Sequence, residues 1–76
     1  MSTLEKIVGD ILGLPEDAVD DTTGMKTVGA WTSLRHVQII AVVQREYGVR
    51  ITPRQARSCR SVADLRDLIP QEGHSA

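Results

Sequence analysis

A hydroxyl and an imidazole lie three positions apart in this chain, at Ser33 and His36. On a helix, side chains with this spacing face each other, so the imidazole could take the hydroxyl proton and make Ser33 a nucleophile. Hydrolytic catalysis also needs an acid to orient the imidazole and a pocket with an oxyanion hole. The sequence identifies no such acid, and a chain of 76 residues forms too small a core to enclose a cleft as well. We therefore expect a non-catalytic protein.

Ser33 lies where a glycine-containing segment gives way to a helix. From there, apolar residues recur every three or four positions and predict one buried helical face, made of Leu34, Val37, Ile40, Val43 and Tyr47 and widened by Ile39 and Ala41. Either Thr32 or Ser33 is suited to cap this helix. A phosphodiester attached to Ser33 would meet free backbone N–H groups and the positive end of the helix dipole.

Other helices must position this segment. An opening helix is indicated by the apolar residues Leu4, Ile7, Val8, Ile11 and Leu12, and Gly13 ends it before a long loop. Gly48 ends the helix that follows Ser33, Thr52 with Pro53 predicts a brief third helix, and Ser61 predicts the start of the last.

These elements predict an all-α fold, a small helical bundle of three main helices plus one short helix. We expect a single domain over residues 1–76, with a folded bundle over 2–69 and a frayed tail over 70–76.

The order of these segments matches a known pattern. The stretches that carry it are residues 25–34 before and at the serine, 34–40 after it, 47–51 and 61–65. They resemble the acyl carrier proteins, whose loop ends in hydrophobic-x-x-hydrophobic-Gly-x-Asp-Ser-Leu. Here the run has one more residue between Gly29 and Ser33, and Thr32 stands where the family has aspartate. The resemblance extends from Leu4 to Ile69 and includes the predicted bundle.

The resemblance implies that Ser33 carries a 4′-phosphopantetheine arm, which a phosphopantetheinyl transferase moves from coenzyme A. It further implies an acyl-loading enzyme, either an acyltransferase or an adenylating ligase, and a ketosynthase or other acyl-processing enzyme as partners. An aminoacyl or peptidyl carrier of a nonribosomal pathway is the alternative. The replacement of aspartate by Thr32 affects which transferase accepts the protein, whereas the reacting group is still a serine hydroxyl.

Charge is unevenly distributed along the chain. Residues 1–24 carry a net −5, residues 25–63 carry +6 and residues 64–76 carry −2. The usual carrier has acidic second and third helices, so the cationic middle of this chain favours partners with acidic or apolar surfaces. It also favours polyketide or related specialised metabolism over primary fatty-acid synthesis.

The residues around Ser33 are candidates for partner recognition. They are Trp31, Thr32, Leu34, Arg35, His36, Arg54 and Arg57. Trp31 is expected to pack under the loop and hold Ser33 outward, with an exposed position beside the cargo as the alternative. His36 is expected to flank the arm, either as an inert exposed residue or as a contact for a partner.

The basic stretch from Arg50 to Val62 also allows a helix-turn-helix that places arginines on DNA phosphates. The net charge of −1 and the acidic first third of the chain oppose it, because phosphate contacts dominate DNA affinity. We expect no nucleic-acid partner.

The remaining sequence features point to a monomer in the cytoplasm, without a membrane partner or a metal. No apolar run approaches the roughly 18 residues that span a bilayer. The two histidines and one cysteine are too widely spread for a zinc site. Cys59 stands where the family has an aliphatic core residue, and we expect it to be buried.

Overall fold

A computed structural model describes residues 3–69 of the chain. Four helices follow one another: α1 (Leu4–Leu12), α2 (Ser33–Tyr47), α3 (Pro53–Ser58) and α4 (Val62–Asp67). A short 3-10 turn, Glu16–Ala18, lies between α1 and α2. No strand occurs in this part of the chain beyond an isolated bridge between Gly24 and Ser61. The predicted all-α bundle is confirmed, although α4 is as short as α3; the tail expected to fray over 70–76 lies outside the described residues.

The helix ends follow local rules that the sequence displays. Gly13 and Gly48 end α1 and α2 in the left-handed conformation, with φ of 77° and 64°, which glycine adopts without steric cost. Thr52 caps α3 in a reciprocal capping box with Gln55, and Pro53 occupies the first turn. The hydroxyl of Ser61 accepts a hydrogen bond from the backbone N–H of Asp64 at the start of α4. All four predicted boundaries are confirmed.

One core lies between the helices. Its members are buried apolar side chains from every α-helix except α3, together with residues of the connecting segments: Leu4, Ile7, Val8, Leu12, Val19, Trp31, Ile39, Ile40, Val43, Ile51, Cys59, Val62, Leu65 and Ile69. The predicted inner face of α1 is therefore largely correct, with Ile11 half-buried. The burial of Cys59 is also confirmed.

The predicted inner face of α2 is wrong at its first turns. Leu34 is 69% exposed and Val37 is 65% exposed, and Ala41 is exposed as well. α2 carries two apolar stripes at helical spacing, and the core covers the one that contains Ile39 and Val43. Leu34, Val37 and Ala41 form the other stripe, which lies on the outside of the described structure.

Long-range hydrogen bonds and an ion pair hold the loop between α1 and α2 against α4 and the segment before it. The backbone N–H of Met25 donates to the carbonyl of Arg60 at 3.0 Å, and the N–H of Val62 donates to the carbonyl of Thr23 at 2.9 Å. Arg66 on α4 forms ion pairs with Glu5 and Asp21. The loop that leads to Ser33 is thus fixed to the connection between α3 and α4.

Candidate functional site

Ser33 is the first residue of α2, and its side chain is exposed. Thr32 is the N-cap, because its hydroxyl oxygen accepts a hydrogen bond from the backbone N–H of Arg35 at 3.3 Å. The Ser33 hydroxyl forms no hydrogen bond within residues 3–69. Thr32 therefore performs the capping role that either residue could have taken, and the Ser33 hydroxyl is left available for chemistry.

Trp31 and His36, which flank Ser33 in the sequence, are joined by a hydrogen bond. The indole Nε1 of Trp31 donates to Nδ1 of His36 at 3.1 Å, and the Trp31 side chain is only 2% exposed. Indole can only donate, so Nδ1 of His36 is the acceptor and its proton sits on Nε2, which donates to the carbonyl of Ala56 on α3 at 2.7 Å. Trp31 is buried, as the first of the two predictions for it stated. Its indole N–H bonds to His36, and its ring is not exposed to a cargo or a partner.

His36 is not a base for Ser33. Both of its ring nitrogens are engaged, one with the loop and one with α3, and the residue is half-buried. The expectation of an inert exposed histidine is wrong, because these two bonds join the loop, α2 and α3 at one point. The pairing of Ser33 with His36 as nucleophile and base has no support in this geometry.

Arg35 is also a structural residue. Its guanidinium Nη1 donates to the carbonyl of Ile11 at 2.6 Å. Ile11 lies in the last turn of α1, where backbone carbonyls lack helical partners and where α1 itself places no basic residue. Arg35 thus provides a cation at the negative end of the α1 dipole, and it is half-buried as a result.

The surface beside Ser33 combines exposed apolar side chains with cationic ones. Leu34 and Val37 provide the exposed apolar side chains. Next to them lies an open groove of about 530 Å³ that Ser33 itself lines. We call it the basic groove, defined by the three cationic residues along it, Lys26, Arg57 and Arg60; Met25, Val37 and Cys59 are among its apolar lining residues. Arg54 is exposed but lines a different groove, on the other side of α3.

Lys26 and Arg60 line this groove and are not among the candidates predicted from the sequence. Lys26 lies in the loop before α2, whereas Arg57 and Arg60 come more than thirty positions later. The backbone bond between Met25 and Arg60 brings them together. In the sequence, the one indication of such a cluster is the excess of basic over acidic residues in 25–63.

Cys59 takes no part in chemistry at the surface. Its side chain is buried, and desolvation, helped by the negative charges of Asp64 and Asp67, raises the pKa of the thiol to about 11. Among residues 3–69, no group of three or more histidine, cysteine or acidic residues could hold a metal ion. In the same part of the chain, no helix has both the length and the apolar character that crossing a bilayer requires.

The structure thus places an exposed serine at the start of a capped helix in a small all-α bundle. The sequence matches the phosphopantetheine attachment site family over residues 2–69, and the chain belongs to this family. It is therefore a phosphopantetheine-bearing carrier protein, from a family whose prosthetic group is covalently attached 4′-phosphopantetheine. A search of curated proteins finds no match to the chain.

Proposed function

We propose that Ser33 is the attachment residue and that the protein carries acyl intermediates as thioesters on its arm. The observation that carries this proposal is the exposed Ser33 hydroxyl, which has no hydrogen bond within residues 3–69 and stands at the first residue of a 15-residue helix. The residues around it fit the group, because a phosphodiester there meets the first amides of α2 and the cations of the basic groove. When attached, the group supplies a thiol at the end of a flexible arm.

The chain's own residues present the hydroxyl and leave proton transfer to the partner. Attachment forms a bond between Ser33 Oγ and phosphorus and breaks the pyrophosphate bond of coenzyme A, releasing adenosine 3′,5′-bisphosphate. His36 cannot accept the hydroxyl proton, since Nδ1 already accepts a hydrogen bond from Trp31 and Nε2 carries the proton donated to Ala56. The base therefore belongs to the transferase. Thr32 and Trp31 hold the serine in place through the cap and the buried loop.

The proposed partners beyond the transferase are an acyl-loading enzyme and a ketosynthase or another acyl-processing enzyme in the cytoplasm. The cationic surface supports polyketide or related biosynthesis. The chain resembles the common carriers in fold but differs from them in surface charge, which favours a different set of partner enzymes. Tethering raises the effective concentration of the acyl group at each partner's active site. Leu34, Arg54 and Arg57 are exposed and therefore available as contacts.

The test of attachment is a mass measurement. The purified protein is incubated with coenzyme A and a broad-specificity phosphopantetheinyl transferase, and intact masses are compared for wild type, Ser33→Ala and Ser58→Ala. Ser58 is a matched control because it is also exposed and helical. We expect one added phosphopantetheine in wild type and in Ser58→Ala and none in Ser33→Ala. A gain that survives in Ser33→Ala, or no gain with several transferases, would contradict the proposal.

A further inference from the structure

The basic groove holds positive charge that this part of the chain does not neutralise. No carboxylate of residues 3–69 forms an ion pair with Lys26, Arg57 or Arg60. All three are exposed, and the lining of the groove contains no acidic residue. Arg66 provides the contrast, since Glu5 and Asp21 both pair with it.

The fold keeps these three cations beside Ser33 from three separate segments. Lys26 comes from the loop before α2, Arg57 from α3 and Arg60 from the connection to α4. The bond between the Met25 N–H and the Arg60 carbonyl ties the first segment to the third. The bond between His36 and Ala56 ties α3 to α2 one residue before Arg57. These hydrogen bonds hold the segments that carry the cations, and no ion pair within residues 3–69 engages the three side chains.

An anion at Ser33 would find donors on both sides. The backbone N–H groups of Ser33 and Leu34 form no hydrogen bond within residues 3–69, as usual for the first turn of a helix. Arginine and lysine bind phosphate oxygens through charge-assisted hydrogen bonds, which are stronger than those between neutral groups. The lining of the groove also includes the apolar residues Met25, Val37 and Cys59.

We propose that the basic groove binds the phosphodiester of the arm attached to Ser33 and holds the first part of the arm against the protein surface. This inference rests on the proposed attachment at Ser33. The arm is tethered at the edge of the groove, so a weak intramolecular contact suffices, because tethering supplies a high effective concentration. The arm leaves the groove when screening by salt or competition by carboxylates weakens these contacts.

The test compares nitrogen-15 amide spectra of the unmodified and modified proteins, after mass measurement has shown that the arm is attached. The variant is Arg57→Gln with Arg60→Gln, and its matched control is Arg45→Gln with Arg50→Gln, two exposed arginines that do not line the groove. In wild type and control, we expect attachment to shift amides near Ser33 and also those of Met25, Lys26 and Cys59. In the groove variant, the distant shifts are lost and the shifts near Ser33 persist.

Added salt and free coenzyme A provide two further tests of the inference. Raising salt from about 0.01 M to about 1 M shortens the Debye length from about 30 Å to about 3 Å, so the distant shifts of the modified wild type are expected to shrink. Stoichiometric coenzyme A added to unmodified protein is expected to produce none of them. Distant shifts that are absent in wild type, equal in the groove variant, unaffected by salt or reproduced by free coenzyme A would each overturn the inference. A missing mass gain would instead overturn attachment itself.

Discussion

The indole N–H of Trp31 donates a hydrogen bond to Nδ1 of His36, across 3.1 Å and five positions of sequence that span the start of α2. The two rings lie with their centroids 6.1 Å apart. Because Nε2 of the same imidazole donates to Ala56, one side chain joins the loop, α2 and α3. The serine and the basic groove beside it are both positioned by this junction.

Replacement of His36 by leucine is expected to destabilise the protein by about 1–3 kcal/mol. The buried indole N–H of Trp31 then loses its acceptor, and an unsatisfied buried donor carries a desolvation cost of this size. The free energy of unfolding is measured by urea denaturation followed by circular dichroism. Gln38→Ala is the control, an exposed position on the same helix where a change within about 0.5 kcal/mol is expected. Equal effects of the two substitutions on the free energy of unfolding would show that the hydrogen bonds of His36 do not stabilise the fold.

Alanine at Gly24 is expected to destabilise the protein by about 1–3 kcal/mol, the usual cost of forcing atoms into a packed site. An added Cβ would lie 2.2 Å from the carbonyl oxygen of Arg60 and 3.0 Å from Cα of Ser61, so the backbone must shift. At Gly29, by contrast, an added Cβ meets nothing within 4 Å and φ is not positive, so Gly29→Ala is expected to be neutral within about 0.5 kcal/mol.

Thermal and urea unfolding of the two glycine variants tests this difference. The Gly24 variant should also alter the basic groove, since the shift falls between Lys26 and Arg60. A Gly29→Ala variant less stable than Gly24→Ala would mean that the contact between the loop and the α3–α4 connection is looser than the structure shows.

The helix ends could be read from the sequence because each depends on a few neighbouring residues. Thr52, Ser61, Gly13 and Gly48 act through caps and left-handed turns that involve only their own segment. Burial of Cys59 also followed from residue type and from the family pattern.

The surface of α2 could not be read in this way. Its two apolar stripes have the same spacing, and only packing against the other helices decides that Ile39 and Val43 face inward while Leu34 and Val37 face outward. The support of His36 by Ala56 and the approach of Lys26 to Arg60 depend on long-range contacts. The sequence therefore predicted the position of Ser33 at the start of α2, whereas the shape and charge of its surroundings depend on the tertiary structure.

Cys59 is expected to resist alkylation in the folded protein. Its pKa is raised to about 11 by burial and by nearby carboxylates, so at about pH 8 roughly one molecule in a thousand carries the thiolate. Iodoacetamide followed by intact mass measurement should leave the unmodified native protein unlabelled and label it in urea. On the modified protein, one label is expected at the arm thiol. Rapid labelling of native, unmodified protein would contradict the burial of Cys59.

The same shift predicts a loss of stability at high pH. The folded-state pKa lies above the ordinary value of 9.0, so the native state favours the neutral thiol. The contribution of the neutral Cys59 thiol to the free energy of unfolding is fully present below pH 9.0 and is lost as pH rises through about 11. Cys59→Val lacks the thiol, so its stability is expected to fall less steeply than that of wild type over this range. Parallel pH profiles for the two proteins would contradict this prediction.

Leu34→Ala is expected to impair recognition and to leave stability unchanged. The side chain is 69% exposed and lies beside the serine, so its truncation removes little core contact, and the free energy of unfolding should change by less than about 0.5 kcal/mol. Truncation of a side chain that anchors the centre of an interface costs more than about 1 kcal/mol in binding, so we expect a loss of about fivefold or more in kcat/KM for phosphopantetheinyl transfer. Gln38→Ala is the control, an exposed position on the same helix, and should retain the wild-type rate. An unstable Leu34→Ala variant would mean that Leu34 packs in the core, as its spacing in the sequence predicts. A stable variant with an unchanged rate would show that the transferase docks elsewhere.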